Sequence, residues 1–308
     1  MVSRVSSFGQ QQVLIRSIMD NQSSVFEGQR QISSGKKFDD YQGLAGQANT
    51  VLGSRSFQAR VESYQQSIDT IRGKLDANDV QLSGFIEAMT TLKDAVQASL
   101  ANNQAEGFGE LLDQTYNFVS NGLNTNFDGT FLFAGAETGT TPVNVTELAD
   151  LAALPSVNDA FSNGAIGFEA RIADGVDLEF GLLADDIGAD VFQEMLDLYN
   201  IDQGANGPLS GELDSVQFGL LQGQITSLET AIDGLRQTQV QNGLAFERLE
   251  VVDEQHADTL VFLEVFIADI EDVDIAEAVT KLNNDQIALE ASYRAIGSLS
   301  QLSLLQFI

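Results

Sequence analysis

The stretch "VESYQQSIDTIRGKLDANDVQLSGFIEAMTTLKDAV", residues 61–96, carries Val61, Tyr64, Ile68, Ile71, Leu75, Asn78, Leu82, Phe85, Met89, Leu92 and Val96 at spacings of three and four. Ten of these eleven are apolar. A repeat of about 3.5 residues keeps one stripe of a helix facing a partner helix, as in a coiled coil or bundle. The partner stripe lies far along the chain. Leu221, Ile225, Leu228, Ile232 and Leu235 run into polar Gln239 and Asn242, then Phe246 and Leu249. After Asp253 and His256 the phase resumes at Leu260, Leu263, Ile267 and Ile270. Polar residues in such a seam weaken packing but fix register.

Proline divides the chain in the same way. Pro142, Pro155 and Pro208 are its only prolines, so residues 1–141 and 209–308 are free to form long helices. Between them, "GFEARIADGVDLEFGLL" (Gly167–Leu183) alternates apolar and polar residues on both sides of Asp174-Gly175, as a β-hairpin does. A three-residue loop, Ala173-Asp174-Gly175, would pair Phe168 with Phe180, Ala170 with Leu178 and Ile172 with Val176. That register segregates the faces and puts Gly175 where a left-handed residue is needed. Residues 136–205 hold fourteen acids and one base, Arg171, so this insert is expected to project into water.

The extreme ends are also periodic. Ile15, Ile18, Val25 and Ile32 form one stripe, interrupted by Gln22 and Gln29. Ile275, Val279, Leu282, Leu289, Tyr293 and Ile296 form another, broken by Gln286. Residues 1–38 have five bases and two acids, whereas residues 271–308 have two bases and six acids. Matching stripes and opposite charge point to pairing of the two ends. A two-helix seam is too little core to stand alone, so further copies are implied. The final fourteen residues, "AIGSLSQLSLLQFI" from Ala295, carry no charge, and Leu299, Leu302 and Leu305 extend the adhesive face.

The composition excludes several function classes. A net charge of −30 leaves no basic stripe for nucleic acid and disfavours an anionic membrane surface. Without cysteine there is no disulfide and no thiolate chemistry. No apolar run reaches the ~20 residues of a membrane helix, and the amino terminus lacks a signal-peptide h-region. His256, the sole histidine, cannot make a multi-histidine metal site and reads as a polar interruption of the seam. The carboxylate pairs Asp185-Asp186 and Asp174/Asp177 have the residue types for glycoside hydrolysis, but so acidic a segment produces such pairs by chance. "ADDIGAD" (Ala184–Asp190) offers oxygen donors without the spacing of an EF-hand. No catalytic, cofactor or metal residues are assigned. A surface adhesin with a glycan-binding insert is a further class, disfavoured by the lack of tryptophan.

Specific residues take the reading further. "EDVDIAEAVTKLNNDQIALEASYRAIGSLSQLSLLQFI" (Glu271–Ile308) strongly resembles the carboxy-terminal domain shared by bacterial flagellins and their hook-associated relatives. "RQISSGKKFDDYQGLAGQA" (Arg30–Ala48) is similar to the family stretch that links the innermost helix to the next domain. "NTNFDGTFLFAGAETGTTPV" (Asn124–Val143) resembles the version in the hook–filament junction members more than the flagellin one. There Asp128-Gly129 turns the chain, Phe131 and Phe133 face one side of a short strand, and Gly135 frees the backbone for the exit into the insert.

Periodicity and composition imply a mainly α fold, an elongated helical hairpin or coiled-coil bundle formed by both chain ends, with a small β-containing insert, and the resemblance agrees. Terminal helices at 1–40 and 266–308 would form the inner axial domain. Segments 41–135 and 207–265 would form a helical rod, and 136–206 the acidic, outward-facing insert. The implied function is structural: the hook–filament junction, with flagellin itself as the alternative. Implied partners are the chain's own copies in a ring or helical tube, another hook-associated protein, flagellin and an export chaperone. The implied location is the extracellular flagellum, reached by type III export without a cleavable signal peptide.

Overall fold

The computed structural model describes the backbone from Val2 to Leu304 and the side chains of residues 9, 12–44 and 46–298. Among the described residues there are seven α-helices: α1 (Val2–Ser34), α2 (Ala48–Asn102), α3 (Phe108–Leu123), α4 (Leu148–Ala152), α5 (Ala184–Gln203), α6 (Ser215–Glu271) and α7 (Ile275–Leu304). Two antiparallel hairpins accompany them, β1 (Asn126–Phe127) with β2 (Thr130–Phe131), and β3 (Glu169–Ala173) with β4 (Val176–Glu179). The fold is mainly α, as the heptad pattern and the missing prolines require. No described helix is long and apolar enough to cross a membrane.

The chain divides into two compact units, Met1–Arg60 with Asp258–Ile308, and Val61–Ala257. In the second unit the seam forms as the spacing predicts. From Val61 to Val96 every seam residue except half-buried Tyr64 is buried, and Leu221, Leu228, Ile232, Leu235, Asn242 and Leu249 are buried on the facing helix. The Asn78 amide donates to Asn242 Oδ1 at 3.2 Å, and the Asn242 amide donates to the Leu75 carbonyl at 2.9 Å. Both asparagines are buried, and Asn78 Oδ1 has no hydrogen-bond partner. At another level Arg72 bridges the helices, pairing with Glu250 at 2.8 Å and Asp253 at 2.7 Å.

Local chemistry starts the long helices where they start. Before α6, Asp214 accepts from the backbone of Val216 and Gln217, while the Gln217 side chain accepts from the Asp214 amide at 3.0 Å. This reciprocal capping box satisfies amides the helix cannot. Asp274 caps α7 by accepting from Ala276 and Glu277.

The acidic insert does not stand apart from the helices. Val143, Val145, Leu148, Leu151, Val191, Phe192, Met195 and Leu198 join one core with Phe85, Met89, Tyr116 and Leu228. The β3–β4 hairpin closes a second core with Ile68, Ile71, Leu75 and Leu249 through Ile172, Leu178 and Phe180. Its apolar alternation therefore serves a helix surface, and most of its acids stay exposed on the other face.

Hairpin register departs from the expectation at one pair. Ala170 lies opposite Leu178, and the rings of Phe168 and Phe180 stack 6.0 Å apart. Val176, however, pairs with Ala173 rather than Ile172, because a bulge falls between Arg171 and Ala173. At this bulge, buried His256 donates from Nε2 to the Ile172 carbonyl at 2.6 Å. Tyr64 stacks on the His256 ring and donates from its hydroxyl to Asp174 at 2.8 Å. The Lys74 ammonium sits 4.1 Å from the centre of the Phe168 ring, and burial lowers its pKa.

Candidate functional site: the paired terminal helices

In the first unit, α1 and α7 pack along one another. Their contact is narrow and partly polar. Gly28 is buried against Leu282, the Asn21 amide reaches Ser292 Oγ at 3.3 Å, and Gln22 donates to the Tyr293 hydroxyl. Ile18, Val25 and Ile32 face this contact half-buried, as do Leu282, Leu289 and Ile296 from the other helix.

Ile15 does not join them; it is exposed. At 3.6 residues per turn it lies roughly 60–100° around α1 from Ile18, Val25 and Ile32. It shares its face instead with Met19 and Phe26, which are 65% and 70% exposed. On α7, Ile287 is likewise exposed at 67%. The side chains of Leu299 and Leu302, and Leu305 altogether, lie outside the described residues. Sequence periodicity missed Met19 and Phe26, although their spacing of four and eleven from Ile15 was visible in the sequence. The α6 segment of this unit adds Val261, Phe262 and Val265, all exposed.

The base of the helix pair is built from charge. The chain after α1 lies antiparallel to the chain after α6, with Lys37 donating to the Glu271 carbonyl at 2.7 Å and Val273 to Gly35 at 3.0 Å. Gly35 has φ +71, which only glycine adopts without strain. Buried Glu271 accepts two hydrogen bonds from Arg55 at 2.6 and 2.9 Å and one from Lys36 at 3.2 Å. Burial pushes the Glu271 carboxyl up, but these cations outweigh it and hold the pKa below its ordinary value. Lys36 also pairs with Asp272 at 2.6 Å. In the connection to α2, the Asp40 carboxylate accepts from the Gly43 amide at 3.1 Å. Gly43 lies so close to the Phe38 ring that a Cβ there would overlap it.

The turn residues occupy the other unit. Asp128 and Gly129 form the two-residue tip of β1–β2, with φ +51 and +79. Positive φ at both positions gives the twist such a tip needs. Beyond them, β2 ends at Phe131, so Phe133 lies past the strand, fully buried in the main core. Gly135 has φ +59, and a Cβ there would come within 2.6 Å of the Ile166 carbonyl. At the β3–β4 tip Gly175 has φ +74.

The weighed chemical groups are engaged in structure. His256 holds the hairpin, and Asp185 accepts from the Asn163 amide at 2.7 Å. Asp177 pairs with Arg171 at 2.9 Å. Among the described residues, no three His, Cys, Asp or Glu side chains come together as a metal site. What the first unit offers is surface: paired terminal helices with large apolar side chains left uncovered.

Comparisons with known proteins fit this arrangement. Residues 225–308 match the family model described as the bacterial flagellin C-terminal helical region. No curated protein matches the sequence. Two solved structures share the fold. One is from Vibrio parahaemolyticus, described as a flagellar hook-associated protein, with TM-score 0.61, 15% identity, and coverage of 75% of this chain and 98% of that one. The other is FlgL of Bacillus cereus, with TM-score 0.55, 16% identity, and coverage of 70% of this chain and 99% of that one. Residues 225–308 thus match the flagellin C-terminal helical region, on a fold shared with flagellar hook-associated proteins.

Proposed function

We propose that this chain is a structural subunit of the bacterial flagellum that self-assembles through its terminal helices at the junction between hook and filament. The observation that carries the reading is the uncovered apolar face of the first unit, Ile15, Met19 and Phe26 on α1 with Ile287 on α7. At ~25 cal/mol per Å², such side chains gain by meeting other copies. The assembly interface comprises Ile15, Ile18, Val25, Ile32, Leu282, Leu289, Ile296, Leu299, Leu302 and Leu305. Segments 1–40 and 266–308 line the axis, 41–135 with 207–265 forms the surrounding helical layer, and 136–206 faces outward. Flagellin, another hook-associated protein and an export chaperone are the partners this role requires. The similarity to FlgL and the Asn124–Val143 motif favour the junction; the carboxy-terminal match is common to both kinds of subunit and leaves flagellin as the second reading.

Immunogold labelling of intact flagella separates the two. A band at the hook–filament boundary supports the junction, and decoration along the filament assigns the chain as flagellin. Deleting Ser298–Ile308 should abolish incorporation while the second unit stays folded. Normal incorporation of that truncation would overturn assembly through the ends.

A further inference from the structure

The second unit carries two more uncovered surfaces, on opposite sides of its central helix pair. On α6, Val240, Leu244 and Val251 are exposed at spacings of four and seven. They lie roughly 160–200° around the helix from buried Asn242, so the ridge points away from the seam. On α2, Val80 is exposed, and it lies roughly 200° from Asn78. One turn further along α2, the half-exposed Phe118 ring of α3 covers Gly84, 3.0 Å from where a Cβ would stand. Asn78 and Asn242 are hydrogen-bonded to each other, so the two apolar surfaces sit at one level, back to back.

Charge distinguishes them. The α2 ridge continues Val80 with exposed Asp76 and Glu87. The α6 ridge is flanked by exposed Arg248 on one edge and Glu247 on the other. The unit has six basic residues. Four have ion pairs within it, Arg72 with Glu250, Lys93 with Glu229, Arg171 with Asp177 and Arg236 with Asp233. Lys74 is placed on the Phe168 ring. Of these six, Arg248 is left exposed with no ion pair among the described residues.

We propose that the Val240–Leu244–Val251 ridge docks on the Val80–Phe118 surface of a second copy, with Arg248 reaching the acids that flank Val80. Different patches on opposite faces make this a head-to-tail contact, which repeats around an axis instead of stopping at a dimer. Five apolar side chains bury well under the ~1,200 Å² of a stable interface. The contact therefore forms between copies that the terminal helices already hold, and in this it rests on the self-assembly reading above. It adds a contact made by residues outside the terminal helices.

The cysteine-free chain allows a clean test. Full-length Val80→Cys and Leu244→Cys proteins, carrying different tags, are mixed at high concentration and oxidised, with pelleting of wild-type polymer measured alongside. The expected product is a mixed disulfide dimer, with neither variant cross-linking to itself. A double Val80→Cys, Leu244→Cys chain should give a ladder. Polymer without mixed dimer, or self-linked dimers alone, overturns the head-to-tail contact and leaves assembly through the ends standing. Mixed dimer without polymer would show the two ridges meeting unaided, overturning both assembly through the ends and the dependence of this contact on it; neither product overturns both contacts. In addition, Arg248→Glu should cut the mixed-dimer yield several-fold, and Asp76→Lys with Glu87→Lys should restore it. An unchanged yield with Arg248→Glu refutes the charge pairing.

Discussion

The buried asparagine pair predicts an unequal response to two similar substitutions. Asn78 and Asn242 are near-isosteric with leucine, and both sit fully inside the seam. Asn242 uses both ends of its amide, accepting from Asn78 and donating to Leu75. Asn78 uses one end, and its Oδ1 is an orphan. Asn242→Leu therefore leaves the Asn78 amide without either partner and should cost about 1–3 kcal/mol, the penalty for stranding a buried polar group. Asn78→Leu removes one orphan and creates another at Asn242 Oδ1, so its polar balance is unchanged. The added apolar surface should make it neutral or stabilising. The double Leu variant strands nothing and should be the most stable of the four, as when paired polar groups give way to apolar ones of the same shape. Urea unfolding of the full chain, followed by circular dichroism at constant m-value, gives the cycle. Asn78→Leu as damaging as Asn242→Leu would refute the reasoning, since the orphan would then be bonded in solution.

Other outcomes follow from single contacts. Gly175→Ala meets no atom within 4 Å, so its whole cost is the left-handed backbone, on the order of 1 kcal/mol, read as a lower unfolding midpoint. An unchanged midpoint would argue against φ +74 there. His256→Phe keeps a ring against Tyr64 but strands the Ile172 carbonyl. The β3–β4 amides should then exchange about ten-fold or more faster with solvent, corresponding to ~1.4 kcal/mol or more; unaltered exchange would mean the histidine does not hold the hairpin. Glu194 on α5 is pushed up to about 7, first by burial and then by Asp197 and Asp190, and its Oε2 has no partner. A carboxyl raised in the folded state stabilises below its unfolded pKa, and that stability is lost as pH rises from 4.5 through about 7. Glu194→Gln should therefore match wild type near pH 4.5 and exceed it at pH 8, by on the order of 1 kcal/mol after solvent screening. An equal difference at both pH values would show that charge at this site is not the cause.

What the sequence made legible depended on how many neighbours each residue answers to. The seam from Val61 to Val96 was readable because each helix there buries one stripe against one main partner, which is a one-dimensional pattern. Polar Asn242 announced itself as a register device for the same reason. The hairpin was readable from its alternation down to Ala170 and Leu178, and failed at Ile172. That residue's carbonyl answers to His256, 84 residues later, and nothing inside the hairpin encodes it. Ile15 failed differently. A contact between two lone helices buries a stripe too narrow to hold every apolar residue of α1, so grouping Ile15 with Ile18 merged a buried face with an exposed one. Lys36, Arg55 and Glu271 come from three distant segments, and no local spacing brings them together.

Charge gives the two units different tasks. The unit containing both chain ends has nine bases and thirteen acids, whereas the Val61–Ala257 unit has six bases and thirty-two acids. Two copies approaching through their second units repel each other, and random apolar encounters there are suppressed. The nearly balanced unit bears the uncovered faces of α1 and α7 and meets far less repulsion. Association is thereby directed to the ends first, and a contact between second units can follow only where a free cation faces acids. Among the described residues of the second unit, Arg248 is the base with neither an ion pair nor a ring contact. Added salt should weaken that single pairing yet relieve the wider repulsion between second units. The wider term involves many more charges, so copies already joined at their ends should associate more tightly as ionic strength rises. Weaker association in salt would mean that specific ion pairs, rather than apolar ends working against a diffuse negative field, hold the copies together.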